Sequence, residues 1–181
     1  RGPLAALTVP GTIGGWAAAL AQPNARSKPI PLARLLAPAV ALAREGVPTT
    51  AGQEEVTRQK LEGLQDIPGF AETFLHQNLA VPQRGERLVQ RRLGDTLEQL
   101  GRAGLTDFYQ GDVARSLARD LEALGSPLRL DDLIQYEPRV LDPLSITSQD
   151  TQLYNMPPPT QGIASLMILG VFDRLQVPEG E

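Results

Sequence analysis

"YNMPPPTQGIASLMILGVFDRL", Tyr154 to Leu175, passes from an alternating run to an apolar helical one through three consecutive prolines, and that passage decides the fold class. Upstream, "DTQLYNM" (Asp150 to Met156) alternates as a strand does. Downstream, the apolar residues recur at helical spacing. The prolines belong to neither element, because each fixes φ and removes a backbone donor. Thr160 then offers a side-chain oxygen at the expected helix start, whose first amides have no internal partners and can take a cap or an anion. Thr160, Gln161 and Gly162 are therefore the candidate ligand-facing residues, and termination of the strand by proline is the competing, purely structural explanation.

Working back from that stretch, "SPLRLDDLIQYEPRVLDPLSI" predicts a short helix beginning at Asp131 and Asp132, a break at Pro138 and a strand at "RVL". A carboxylate pair can serve acid–base or metal chemistry, but at a helix start it caps free amides and complements the dipole. Two amphipathic helices precede it. Val89, Leu93, Leu97 and Leu100 mark one face over residues 86–102, and Tyr109, Val113, Leu117, Leu121 and Leu124 mark another over 106–124. Further upstream, "AGQEEVTRQKLEGL" and "GFAETFLHQ" read as helices, and "NLAVPQRGERL" as an extended segment and turn. "PLARLLAPAVALARE" predicts a helix over 31–45 with Leu32, Leu35, Leu36, Ala39, Val40 and Ala43 as its apolar stripe. Pro38 either kinks it or marks a later start. The opening "ALTVPGTIGGWAAALAQ" reads as a β-like run, a turn and an alanine-rich helix, with Gly14 and Gly15 at the turn. The sum is an α+β, predominantly helical chain, helical over about 31–136 and returning to strands over about 137–181.

Composition narrows the function. The 181 residues, 41% hydrophobic, suffice for a core. A formal charge of -4 lacks the basic excess that nucleic-acid binding requires. The longest apolar runs are too short to span a bilayer. With no cysteine and a single histidine, His76, neither a disulfide framework nor a thiolate or multi-histidine metal site is available. His76 reads as an ordinary surface or half-buried residue, and Trp16 as a packing residue. The glycines near Gly14 lack the spacing of a phosphate loop, and no GxSxG elbow is present. Arg1 in place of Met, and an end at "QVPEGE" directly after a helix pattern, lead us to expect a piece of something longer.

Four blocks in order resemble the gamma-glutamyltransferase family, including its cephalosporin-acylase-like branch. They are "TVPGTIGGW" (8–16), "PLARLLAPAVALAREGVP" (31–48), "FYQGDVARSLARDLEALGSPLRLDDLIQYEPRVLDPL" (108–144) and "YNMPPPTQGIASLMILGVFDRL" (154–175). The resemblance implies part of the large subunit of an αββα N-terminal-nucleophile hydrolase. Such a precursor cuts itself, and the freed threonine of the small subunit attacks a γ-glutamyl or related acyl amide, its own amine serving as base. It implies no cofactor or metal, and two partners: the small-subunit portion of the same precursor and a small acyl-amide substrate. It further implies that the catalytic threonine lies beyond Glu181 and that this chain is inactive alone. Export to the periplasm or medium is common in the family, though the resemblance leaves the cytoplasm open. After its prolines the transpeptidase form continues Ser-Ser-Gly-Gly. Thr160, Gln161, Gly162 and Ile163 depart from that and resemble the acylase-like members. A non-catalytic helical interaction module, or a degenerate relative, is the alternative.

Overall fold

The computed structural model describes residues 2–5, 7–22 and 30–175, with the side chains of Gly2 and Pro3 excepted. The architecture is α+β and predominantly helical, as the sequence patterns require. It divides after Pro138 into two compact units.

In the first unit, α1 (Thr12–Ala21) and α2 (Leu32–Glu45) precede a two-residue strand β1 (Val47–Pro48). Next come α3 (Ala51–Leu64), α4 (Phe70–Phe74), β2 (Arg87–Leu88) and α5 (Arg91–Ala103). The unit closes with α6 (Asp107–Gln110), α7 (Asp112–Ala123) and α8 (Leu130–Ile134). Its main core gathers Ile13, Leu36, Leu97, Leu100, Leu105 and Tyr109. Helices α2 and α5 run antiparallel across it at close range, because two glycines of α5, seven residues apart, face α2. A Cβ on Gly94 would lie 2.9 Å from Arg44 Cγ, and one on Gly101 3.2 Å from Ala33 Cα. Arg44 then reaches Asp95 at 2.7 Å and Glu98 at 3.1 Å, exposed pairs that hold register more than they stabilise.

Several sequence expectations shift here. The α2 helix runs unbroken past Pro38 from Leu32, which excludes the later start. Leu36 and Ala43 are buried, with Leu32 and Val40 half-buried, whereas Leu35 and Ala39 lie outside the covered stripe. No strand precedes α1 among the described residues of the opening: Gly2–Ala5 is a 3-10 turn, and Ala6 lies outside the described residues. Gly14 and Gly15 sit inside α1 rather than in a turn before it, and Trp16 is 41% exposed, so it is not a core residue. The helix expected from residue 86 begins at Arg91, because Arg87 and Leu88 pair antiparallel with Pro48 and Val47. That pairing follows the exit from α2 at Gly46, whose φ of 85° suits glycine. The helix expected over 106–124 is two helices. Asp107 turns back to accept hydrogen bonds from the amides of Asp112 (2.9 Å) and Val113 (3.3 Å), so it caps α7, and the chain bends at Gly111. On α7 the fully covered positions are Ala114 and Ala118, which pack with Leu133 of α8. The larger residues at 113, 117 and 121 flank that contact half-buried, and Leu124 is exposed. Small side chains lie at the seam because α7 and α8 approach closely there.

The second unit is a hairpin and a helix: β3 (Leu144–Ser148), β4 (Thr151–Asn155) and α9 (Gly162–Leu175). The strands pair antiparallel from Leu144↔Asn155 to Ser148↔Thr151. The first strand therefore starts at Leu144; "RVL" (139–141) is irregular, since the five-residue register leaves it no partner. Leu166 is the buried apolar anchor of α9, and Ser148 Oγ donates to Asp173 Oδ1 at 3.1 Å. Met167, Ile168 and Phe172 are each at least 60% exposed, an apolar face with nothing covering it among the described residues.

Candidate functional site

The candidate residues sit where the hairpin hands over to α9, and their local geometry follows from the proline run. Without amide hydrogens to donate, Pro157, Pro158 and Pro159 leave the closing of the turn to the residues at its ends. Asn155 Oδ1 accepts from the Met156 amide at 2.8 Å. Thr160 closes the other side: its amide donates to Pro157 O at 3.3 Å, and its hydroxyl lies 3.1 Å from both Met156 O and Pro157 O. The same oxygen accepts from Gly162 N at 3.2 Å. The Thr160 hydroxyl is thus consumed internally, its one hydrogen shared between two carbonyls and a lone pair taken by the helix start. Gly162 is buried where a side chain has no room: a Cβ would overlap Met156 O and lie 2.8 Å from Asn155 Oδ1. Gln161 differs from both. It is exposed, and among the described residues its side-chain amide has no hydrogen-bond partner. Of the three, it alone presents a free donor and acceptor.

The other sequence candidates resolve as local structure. Asp132 accepts from the Arg129 amide at 2.8 Å and so caps α8, with Asp131 exposed beside it in the first turn. His76 lies just past the end of α4, not within it, and its Nε2 is 3.0 Å from Glu86 Oε2. Glu86 also accepts from the Gln83 amide at 2.8 Å; that bond first, and His76 second, lower its pKa. Among the described residues no group of three or more His, Asp or Glu is placed to hold a metal.

A tyrosine clasp, not foreseen from composition or spacing, ties two of the sequence blocks together. The Tyr109 hydroxyl donates to Pro10 O at 2.7 Å and accepts from Gly14 N at 2.8 Å. Tyr136 stacks on the Tyr109 ring at 4.9 Å. A Cβ on Gly11 would lie 2.7 Å from the Tyr136 hydroxyl, and one on Gly14 2.7 Å from its ring, so both glycines are there for close approach. "PGTIGG", "FYQG" and "DDLIQY" are therefore one contact in space, and the signal available was the pairing of small residues in one block with the two tyrosines of the other. Burial raises the Tyr109 pKa; the Gly14 amide opposes that shift, and Tyr136 adds to it. Tyr109→Phe keeps the stacking but strands the Gly14 amide and the Pro10 carbonyl, and is expected to cost about 1–3 kcal/mol of stability, read from urea unfolding. An unchanged midpoint would show that the clasp contributes nothing.

Comparison with known proteins places this geometry. The family described as gamma-glutamyltranspeptidase matches residues 1–181. The oxamate amidohydrolase proenzyme of Klebsiella pneumoniae is 44% identical over 182 residues, covering 100% of this chain and 34% of that protein. The glutathione hydrolase-like YwrD proenzyme of Bacillus subtilis is 33% identical, covering 99% of this chain and 34% of that protein. The chain thus spans about a third of the length of these relatives. Among solved structures, Helicobacter pylori gamma-glutamyltranspeptidase superposes with a TM-score of 0.81 at 28% identity, covering 92% of this chain and 47% of that one. Cephalosporin acylase from Bacillus halodurans gives 0.78 at 30% identity, covering 94% and 32%.

Proposed function

This chain belongs to the gamma-glutamyltranspeptidase family, and on that premise we propose that it is part of the large subunit of an N-terminal-nucleophile amidohydrolase. In this reading the helical region spans about 31–136 of the chain, and the strands of about 137–181 return to the catalytic core. The nucleophile is a threonine of the small-subunit portion of the same precursor, outside this chain. After self-cleavage its α-amine takes the proton from its own hydroxyl, and the oxygen attacks the amide carbonyl. The amide nitrogen leaves with that proton as ammonia or an amine, and water then hydrolyses the threonine ester. The chain by itself is inactive.

Hydrolysis of small amides is preferred to γ-glutamyl transfer. The observation that carries this is the 44% identity to the oxamate amidohydrolase proenzyme over the whole chain, against 28% to the glutathione hydrolase proenzyme of Escherichia coli. Thr160, Gln161, Gly162 and Ile163 after the prolines, where the transpeptidase form has Ser-Ser-Gly-Gly, support the same choice. Gln161, with its free side-chain amide, is the residue we assign to substrate contact; Thr160 and Gly162 shape the turn that presents it.

The test begins with the full-length protein, freshly expressed, by intact mass and amino-terminal sequencing. Two chains are expected, the smaller beginning with Thr. A single uncut chain under folding conditions would favour the degenerate, non-catalytic alternative. The cleaved protein is then assayed on oxamate, a glutaryl amide and a γ-glutamyl anilide, the last with and without a dipeptide acceptor. Strong acceptor-dependent turnover of the γ-glutamyl donor would overturn the hydrolase preference. Gln161→Ala is expected to raise KM severalfold with little loss of folding, and an unchanged KM removes Gln161 from the site.

A further inference from the structure

A cleft of about 1000 Å³ opens in the first unit between the end of α4 and the β2–α5 junction, and Thr160, Gln161 and Gly162 are not among its lining residues. Leu75 and Leu88, both buried, form its apolar base together with Val89 and Leu93. At its rim Leu79 is held at φ 63°, a left-handed conformation unusual for a leucine, with its side chain 66% exposed. Three arginines line the same cleft: Arg87, Arg91 and Arg92. Arg87 donates to Gly46 O at 2.7 Å, a neutral acceptor that leaves its charge uncompensated. Arg91 and Arg92 are exposed, and among the described residues neither side chain has an acidic partner. Among the described residues Glu72 is the sole carboxylate of the lining. In a chain of net charge -4, positive charge is thus gathered beside apolar surface.

We infer that this cleft binds a small carboxylate with an apolar body, its head group on Arg91 and Arg92 and its body on Leu75, Leu88 and Leu93. Arginine matches a carboxylate through paired N–H donors. The volume is that of a small-molecule site rather than a macromolecular interface. A bare inorganic anion would use the charges and leave the leucines unmet. A nucleic acid would need a platform of large aromatic side chains, and among the described residues no Phe, Tyr or Trp lines the cleft.

The experiment is isothermal titration of the full-length protein at low salt with hexanoate, hexylamine and inorganic phosphate as probes. Hexanoate is expected to saturate and to bind at least tenfold more tightly than the other two. The double substitution Arg91→Glu, Arg92→Glu should weaken hexanoate at least tenfold, and Glu72→Gln should tighten it severalfold. Both arginines are exposed, so the fold should survive. Should the double variant unfold, Arg91→Gln and Glu72→Gln, made separately, carry the same test, the first weakening and the second tightening hexanoate. Absence of saturable hexanoate binding, or binding that neither Arg91 nor Glu72 affects, would overturn the proposal, the latter by assigning hexanoate to the amidase site. Phosphate binding as tight as hexanoate would overturn the apolar half.

Discussion

Leu100→Ala is expected to cost about 2–5 kcal/mol, the range for a leucine truncated where the surroundings cannot collapse. Leu100 is 1% exposed and sits on α5 within the cluster formed with Ile13, Leu36, Leu97, Leu105 and Tyr109. Collapse is restricted because α2 already lies against α5 through Gly94 and Gly101, so the helices have no slack to close over a cavity. For a chain of this size the loss corresponds to a fall of roughly 10 °C in Tm, measurable by circular dichroism at 222 nm. Leu35→Ala is the control: the same chemistry on the same bundle, but at a residue 40% exposed, and its effect should be a small fraction of that. Equal losses from the two would show that α2 and α5 do not pack as described.

Gly162→Ala is the second large effect, and it acts on backbone rather than core. The added methyl would overlap Met156 O and approach Met156 N to 2.9 Å, and neither can swing aside as a side-chain tip could. The proline run on the other side of Met156 stiffens the same turn, so relaxation must move the hairpin or the start of α9. The cost is expected at the upper end of the ~1–3 kcal/mol typical of overpacking. Hydrogen exchange should show it as faster exchange of the amides at the start of α9, with α2 and α5 unaffected. In the full-length protein the same variant should lose activity through disorder of the turn, whereas Gln161→Ala should change KM without that exchange signature. Unchanged protection at α9 would mean that the turn is not as tight as the geometry requires.

The exposed face of α9 bears on how the chain behaves alone. Met167, Ile168, Val171 and Phe172 are more than half exposed on a helix whose anchor is Leu166. An apolar patch of that kind marks an interaction surface. Isolated chains are expected to self-associate through it, giving a concentration-dependent sedimentation coefficient; a monomer at all concentrations would contradict this.

Periodicity in the sequence determined that this chain is built mainly of amphipathic helices, because a helix with one apolar face must bury it whatever its neighbours are. It determined equally that the prolines separate a strand from a helix, since no donor is available there to continue either. Four collinear blocks sufficed for the family. What the sequence left open depended on partners distant along the chain. Leu88 is in a strand and not in a helix because Val47 lies opposite it, and "RVL" is not a strand because Thr151 to Asn155 pair with Leu144 to Ser148 instead. The break at Gly111 required Asp107 to fold back on α7. The clasp of Tyr109 on Pro10 and Gly14 joins residues nearly a hundred positions apart. Likewise, only the folded turn separates Thr160, whose hydroxyl is spent on Met156, Pro157 and Gly162, from Gln161, whose amide remains free. Local pattern states what each segment can be. Register, caps and close approaches are properties of pairs, and only the tertiary structure brings the pairs together.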